Sequence, residues 1–186
     1  SIEHRGNIHA VASFSPNIII SINSVGSISP EIKPGEIGLA SDIIDFTEYA
    51  WSFHDIITYH SDRTSTFDPN GNEIFSKVLK EIQGREAKKL VVAQCKGPQF
   101  ESPAEINALE ILGAEVVNMT LGSESRLISE LSIPHVSMLC SSNWAAGKNP
   151  KGPKIRINHE EVQCISNSME KMILECINYL ITNYQV

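Results

Sequence analysis

Five short stretches of this chain carry side chains suited to chemistry. They are Asn23-Ser24-Val25-Gly26-Ser27, Phe100-Glu101, Met119-Thr120, Ser142-Asn143 and His159. Together they offer small hydroxyls, two carboxamides, one carboxylate, an aromatic ring and an imidazole. Ser and Thr hydroxyls with glycine-flanked backbone N–H groups can cradle an anion such as phosphate. A carboxylate and an amide can read the edge of a neutral heterocycle such as a purine, and Phe100 can lie against its face. Each residue also has an ordinary reading. Ser24 and Thr120 suit turns, Met119 suits a core gap, and Phe100 can be a core anchor in a strand–helix connection. His159 can be a solvated first-turn residue.

The case for chemistry rests on where these residues fall. Apolar runs at 17–21, 36–40, 90–95, 115–119 and 135–141 predict strands. Helical patterns cover 72–82, 103–112, 123–131 and 159–183. Ser102-Pro103-Ala104-Glu105 reads as a cap, a proline at the first helical position and an acid in the first turn. Gly113 supplies a stop for that helix. Residues 53–71 are polar and predict a long surface loop. The alternation argues for a single α/β domain over 1–186 with a largely buried sheet. The polar stretches then follow four strands at their carboxyl ends, where open α/β sheets bind ligands.

The totals narrow the class. The chain has 186 residues, 41% hydrophobic and 20% charged, and its formal net charge is −7. That balance speaks against a nucleic-acid backbone as partner, and no apolar run is long enough to span a bilayer. Cys95, Cys140, Cys164 and Cys176 are scattered with no CxxC pair. They read as reduced thiols of a cytoplasmic protein, with no metal site. Gly122-Ser123-Glu124-Ser125 is not a nucleophile elbow. His159-Glu160-Glu161-Val162 lacks the second histidine of a zinc helix, and the loop 147–153 has proline where a P-loop needs lysine. Asn118-Met119-Thr120 matches a glycosylation acceptor, an idle match in such a compartment.

Five segments, INSVGSISPEIKPGEI (22–37), KGPQFESPAE (96–105), LGAEVVNMT (112–120), SSNWAAG (141–147) and INHEEV (157–162), resemble the purine nucleoside phosphorylase family. The likeness is to its trimeric branch, which includes methylthioadenosine phosphorylase. It implies a three-layer fold with a central mixed sheet flanked by helices. It implies phosphorolysis of a purine nucleoside to the free base and ribose 1-phosphate. Inorganic phosphate would be the co-substrate, with no cofactor or metal, and the assembly a homo-trimer or homo-hexamer. By the same resemblance Asn143 reads the purine N7 and O6 edge, and Glu101 accepts from N1–H. Phe100 lines the base pocket and Met119 packs on the ribose. His159 meets the 5′-hydroxyl. Ser24 and Thr120 hold phosphate, with Asn23 and Gly26 shaping that loop.

Asn143 and His159 favour inosine or guanosine over methylthioadenosine, whose phosphorylases tend to carry Asp and a small or apolar residue there. Family members begin with an additional segment that supplies phosphate contacts, and the start IEHRGNI resembles the family only after it. The chain is therefore expected to be short at its amino end, with His4 or Arg5 as candidates to approach the phosphate. The family's inter-subunit aromatic falls in 50–70, with Phe53, His54 and Phe67 as candidates. An inactive nucleoside-binding or structural homologue, and a methylthioadenosine phosphorylase, are the alternatives.

Overall fold

The computed structural model describes residues 2–49, 51–57 and 59–184. Five strands, β1 (Ile19–Ser27), β2 (Ile37–Asp45), β3 (Lys89–Gln94), β4 (Val116–Asn118) and β5 (His135–Trp144), close in the order β1-β4-β3-β2-β5. The sheet is mixed. β1 and β5, β2 and β3, and β3 and β4 run parallel, whereas β1–β4 and β2–β5 are antiparallel. Helices cover its outside: α1 (His4–Ala12), α2 (Pro69–Gln83), α3 (Pro103–Ile111), α4 (Leu121–Glu130), α5 (His159–Ser168) and α6 (Glu170–Asn183).

Local chemistry sets several boundaries. Asp68 caps α2 by accepting from the Gly71 N–H at 2.7 Å, and Gly84 ends it in a left-handed turn. The Ser102–Glu105 capping box starts α3 as its sequence predicts. Val25, Ala40, Leu90, Val92, Val116 and Leu139 fill the barrel interior. A second core lies outside, where Phe75, Leu79, Cys176 and Leu180 of α2 and α6 pack on β2 and β5.

Three expectations are corrected. β1 continues to Ser27 and β5 to Trp144, so Asn23, Ser24, Gly26, Ser142 and Asn143 lie within strands rather than in turns beyond them. The polar side chains that resembled turn signals are paired between the neighbouring strands β1 and β5: Ser27 and Ser141 hydroxyls lie 2.7 Å apart, and Ser137 donates to Asn23 Oδ1 at 2.8 Å. The carboxy-terminal helix is two helices, because the chain turns at the fully buried Met169. The amino-terminal residues form α1, which packs on α4 through Ile8, Leu127 and Ile128.

One buried network predicts a pH dependence. Ser21 donates its proton to Glu124 at 2.9 Å and sits 2.9 Å from His135 Nε2, so it accepts from that nitrogen's N–H. Among the described residues His135 Nδ1 finds no hydrogen-bond partner. Burial, reinforced by the nearby Arg63 charge, pushes the His135 pKa down to about 3. The unfolded chain therefore takes up a proton near the ordinary histidine value while the folded chain does not. Stability is expected to be full above about pH 6.5 and to fall as the pH drops toward 3. Denaturant unfolding at pH 7 and pH 5 checks this. His135→Gln, which keeps a side-chain donor for Ser21, should lose less stability over that interval, and equal losses would disprove the assignment.

Candidate active site

One cavity of about 630 Å³ is lined by Asn23, Ser24, Gly26, Phe100, Glu101, Met119, Thr120, Asn143 and His159, along with Ile22, Asn118, Ser142 and Val162. All nine residues singled out in the sequence therefore meet in one place, although they lie as far apart as Asn23 and His159 in the chain. β1 and β5 run through the site, while β3 and β4 end at it.

Three side chains set one end of the cavity. Asn23 donates from Nδ2 to Thr120 Oγ1 at 3.2 Å. Asn118 donates to the Ser24 carbonyl at 3.0 Å and accepts from the N–H groups of Thr120 and Leu121 at 2.8 and 2.6 Å. Gln94 accepts from the Gly122 N–H at 2.8 Å and donates to the Met119 carbonyl at 2.6 Å. The first turn of α4 thus has two of its N–H groups already satisfied. Ser24 and Thr120 offer hydroxyls at this end, and the positive end of the α4 dipole adds to them. The expected amide cradle is not available from Leu121 and Gly122. α4 itself is fastened by Arg126, whose Nε donates to Asp45 Oδ2 at 2.6 Å. Burial pushes the Asp45 carboxyl up, but bonds from Arg126 and Thr47 outweigh that and hold it below its ordinary value.

At the other end, Phe100 is 45% exposed and forms a cavity wall, so it is not a core anchor. Glu101 forms the partition between this cavity and a second of about 500 Å³ that Cys95 and Glu105 also line. Burial, and then the Glu101 charge, push the Cys95 thiol up to about 12, so it stays protonated beside that carboxylate. Gly97 has φ +62°, which favours glycine, and a Cβ there would sit 2.7 Å from Met119 Sδ, so a larger residue would push the Met119 thioether aside.

Asn143 projects from β5 with Nδ2 donating to the Trp144 carbonyl at 2.9 Å and Oδ1 accepting from Ser142 Oγ at 3.0 Å. Gly26 faces it across the ladder, and a Cβ at Gly26 would lie 3.2 Å from Asn143 Nδ2. Gly26 therefore makes room for the carboxamide inside a strand and does not shape a loop. His159 is the first residue of α5, exposed, behind Asn158, which caps the helix by accepting from the Glu160 N–H at 2.9 Å.

Several expected neighbours lie elsewhere. Arg5 bridges to Asp55 at 2.8 Å, and His4 is buried edge-on to Trp51; neither lines the cavity. Phe67 is a core residue, 4% exposed, against His135. Phe53 is half-buried on the α1–α4 cluster, and His54 is exposed beside Tyr59. Conversely, Asn118 organises the site and was legible only as an idle glycosylation match. An Asn two residues ahead of a helix cap is an Asx-turn signal, which could have found it.

A model of the phosphorylase superfamily matches residues 1–178. A probable 6-oxopurine nucleoside phosphorylase of Thermococcus kodakarensis is 30% identical over 192 residues, covering 96% of this chain and 70% of that protein. A probable S-methyl-5′-thioinosine phosphorylase of Methanopyrus kandleri is 33% identical over 181 residues, covering 96% and 71%. Methylthioadenosine phosphorylase from Schistosoma mansoni, in complex with adenine, superposes with a TM-score of 0.88 at 16% identity over 99% of this chain and 72% of that one. At that identity the likeness speaks for the fold. The matched model spans nearly the whole chain, the curated relatives agree with it, and the mixed barrel is that of the solved structures: the chain belongs to the phosphorylase superfamily.

Proposed function

We propose that this chain catalyses phosphorolysis of a purine nucleoside, with a 6-oxopurine such as hypoxanthine or guanine as the leaving base. The observation that carries the reading is the convergence of a carboxamide, a carboxylate, an aromatic wall and two hydroxyls on one cavity. The glycosidic C1′–N9 bond breaks and its electron pair passes into the purine. A phosphate oxygen forms the new bond to C1′, giving ribose 1-phosphate. Negative charge grows on the purine as the bond breaks; N7 takes up a proton from phosphate or water and O6 accepts a hydrogen bond, so preorganised partners for N7–H and O6 act mainly in the transition state.

Asn143 is proposed to meet N7 and O6, and Glu101 to accept from N1–H, a proton that adenine lacks. Phe100 lines the base and Met119 the ribose. Ser24 and Thr120 bind phosphate, held in place by Asn23 and Asn118. His159 bonds the 5′-hydroxyl. As for assembly, a homo-trimer or homo-hexamer would cover the exposed Phe46, Tyr49, Ile56, Ile57 and Tyr59 in the segment after β2.

A second reading concerns the sugar. Ile22 and Val162 line the same cavity as His159 and are apolar. They favour a 5′-methylthio group, as the name of the Methanopyrus relative suggests. Initial rates with inosine, S-methyl-5′-thioinosine and methylthioadenosine, with and without phosphate, separate these readings. Inosine or S-methyl-5′-thioinosine is expected to be cleaved only with phosphate present, and methylthioadenosine far more slowly. Preference for methylthioadenosine would overturn the 6-oxopurine assignment. Base binding without turnover of any of the three would favour an inactive homologue.

A further inference from the structure

We infer that Ser142 couples the two halves of the cavity, so that phosphate and purine each strengthen the other's binding. The inference rests on the phosphorolysis reading and assigns a positioning role to a residue that has none in it. In the β1–β5 ladder Val25 lies opposite Ser141 and Gly26 opposite Asn143, so Ser142 is the extra residue of a β-bulge. A bulge next to a site re-aims a side chain. Ser142 is 1% exposed, and its hydroxyl lies between the two halves. It accepts from Ser24 Oγ at 2.7 Å and donates to Asn143 Oδ1 at 3.0 Å, with the Val25 carbonyl 3.3 Å away as a second acceptor.

A hydroxyl has one proton to give. In this arrangement Ser24 gives its proton to Ser142, and Ser142 gives its own to Asn143. Ser24 then has none for phosphate, and one lone pair of the carboxamide oxygen is already taken. When phosphate accepts the Ser24 proton, Ser142 loses a donor and gains an acceptor in Ser24 Oγ. Its own proton can turn there or to the Val25 carbonyl. Asn143 Oδ1 is released to accept from a purine N7–H. The carboxamide does not flip meanwhile, because Nδ2 remains bonded to the Trp144 carbonyl at 2.9 Å. Phosphate therefore selects the hydrogen-bond polarity that the purine needs, and linkage makes the effect reciprocal.

Calorimetric titration of hypoxanthine into the full chain, with and without saturating inorganic phosphate, tests this. Phosphate should tighten hypoxanthine by roughly tenfold, within the usual span of such couplings. Ser142→Ala should bind both ligands but with a ratio near one, and Ser142→Thr, which keeps the hydroxyl, should restore the ratio. Ser142→Cys keeps the shape and weakens both bonds, so it should lower the ratio even if the alanine variant folds poorly. A merely structural role would weaken both ligands without changing the ratio. A wild-type ratio of one, or a ratio unchanged in the alanine and cysteine variants, would overturn the inference and leave the phosphorylase reading intact. A wild-type chain that binds neither ligand would overturn that reading itself.

Discussion

Asn143→Ala is expected to lower phosphate-dependent release of hypoxanthine from inosine by roughly 10²–10³-fold in kcat, the usual loss when one preorganised donor to a developing charge is removed. The carboxamide is held from two sides, by the Trp144 carbonyl and by Ser142, and it projects into space left by Gly26. That preorganisation is the source of the effect, since the bond to the Trp144 carbonyl and the space beside Gly26 keep the carboxamide in place even when Ser142 turns its proton away. KM should change less than kcat, because the bond strengthens only as the glycosidic bond breaks. Asn143→Asp should be nearly as damaging with inosine, because a carboxylate repels O6. It should lose less with a 6-aminopurine nucleoside. Spectrophotometric initial rates measure both variants. Turnover of the alanine variant within a few-fold of wild type would remove Asn143 from the chemistry.

The second large effect is on stability. Phe75→Ala should destabilise the fold by about 3–5 kcal/mol, the usual range for truncating a buried phenylalanine. Phe75 is fully buried on the inner face of α2, among Ile37, Leu39, Val136, Met138 and Leu180. The space is bounded by two strands and two helices, which cannot collapse far into it. For a domain of this size the loss corresponds to a melting temperature lower by roughly 6–20 °C. Calorimetry checks it, and a drop under about 2 °C would mean that α2 does not close this core. Since Phe75 is remote from the cavity, activity well below the new transition should survive.

Much of the framework was legible in the chain. The capping box Ser102–Glu105, the Pro103 helix start and the apolar cores of β3 and β4 are local signals, and local signals survive in any context, whereas the loop expected over 53–71 ends earlier, because Asp68 caps α2 and Pro69 begins it. The stretch KGPQFESPAE was legible for the same reason. β3 ends at Gln94, before the Gly97-Pro98 pair expected to stop it, a capped helix follows at Pro103, and Phe100 and Glu101 are left in the hinge between them.

The course of β1 and β5 through the site was not legible. Asn23, Ser24, Ser27, Ser142 and Asn143 have turn-forming side chains, and nothing within a few residues says otherwise. Their partners are remote: Ser137 for Asn23, Ser141 for Ser27, and Ser24 for Ser142. Only when β1 lies against β5 does each polar group find its bond, and burial then costs little. The helix break at Met169 is similar, since it depends on how α6 seats against α2 rather than on any breaker residue.

By itself, then, the sequence carried the five segments whose resemblance pointed to the family and to the nine cavity residues, and its local spacing determined the α/β alternation that carries them. The tertiary structure decided that Phe100 is a wall and not a core anchor, that Gly26 makes room for Asn143, that Asn118 ties β1 to α4, and that Ser142 lies between Ser24 and Asn143. Each of these depends on groups from different elements coming within bonding distance, which only closure of the barrel brings about.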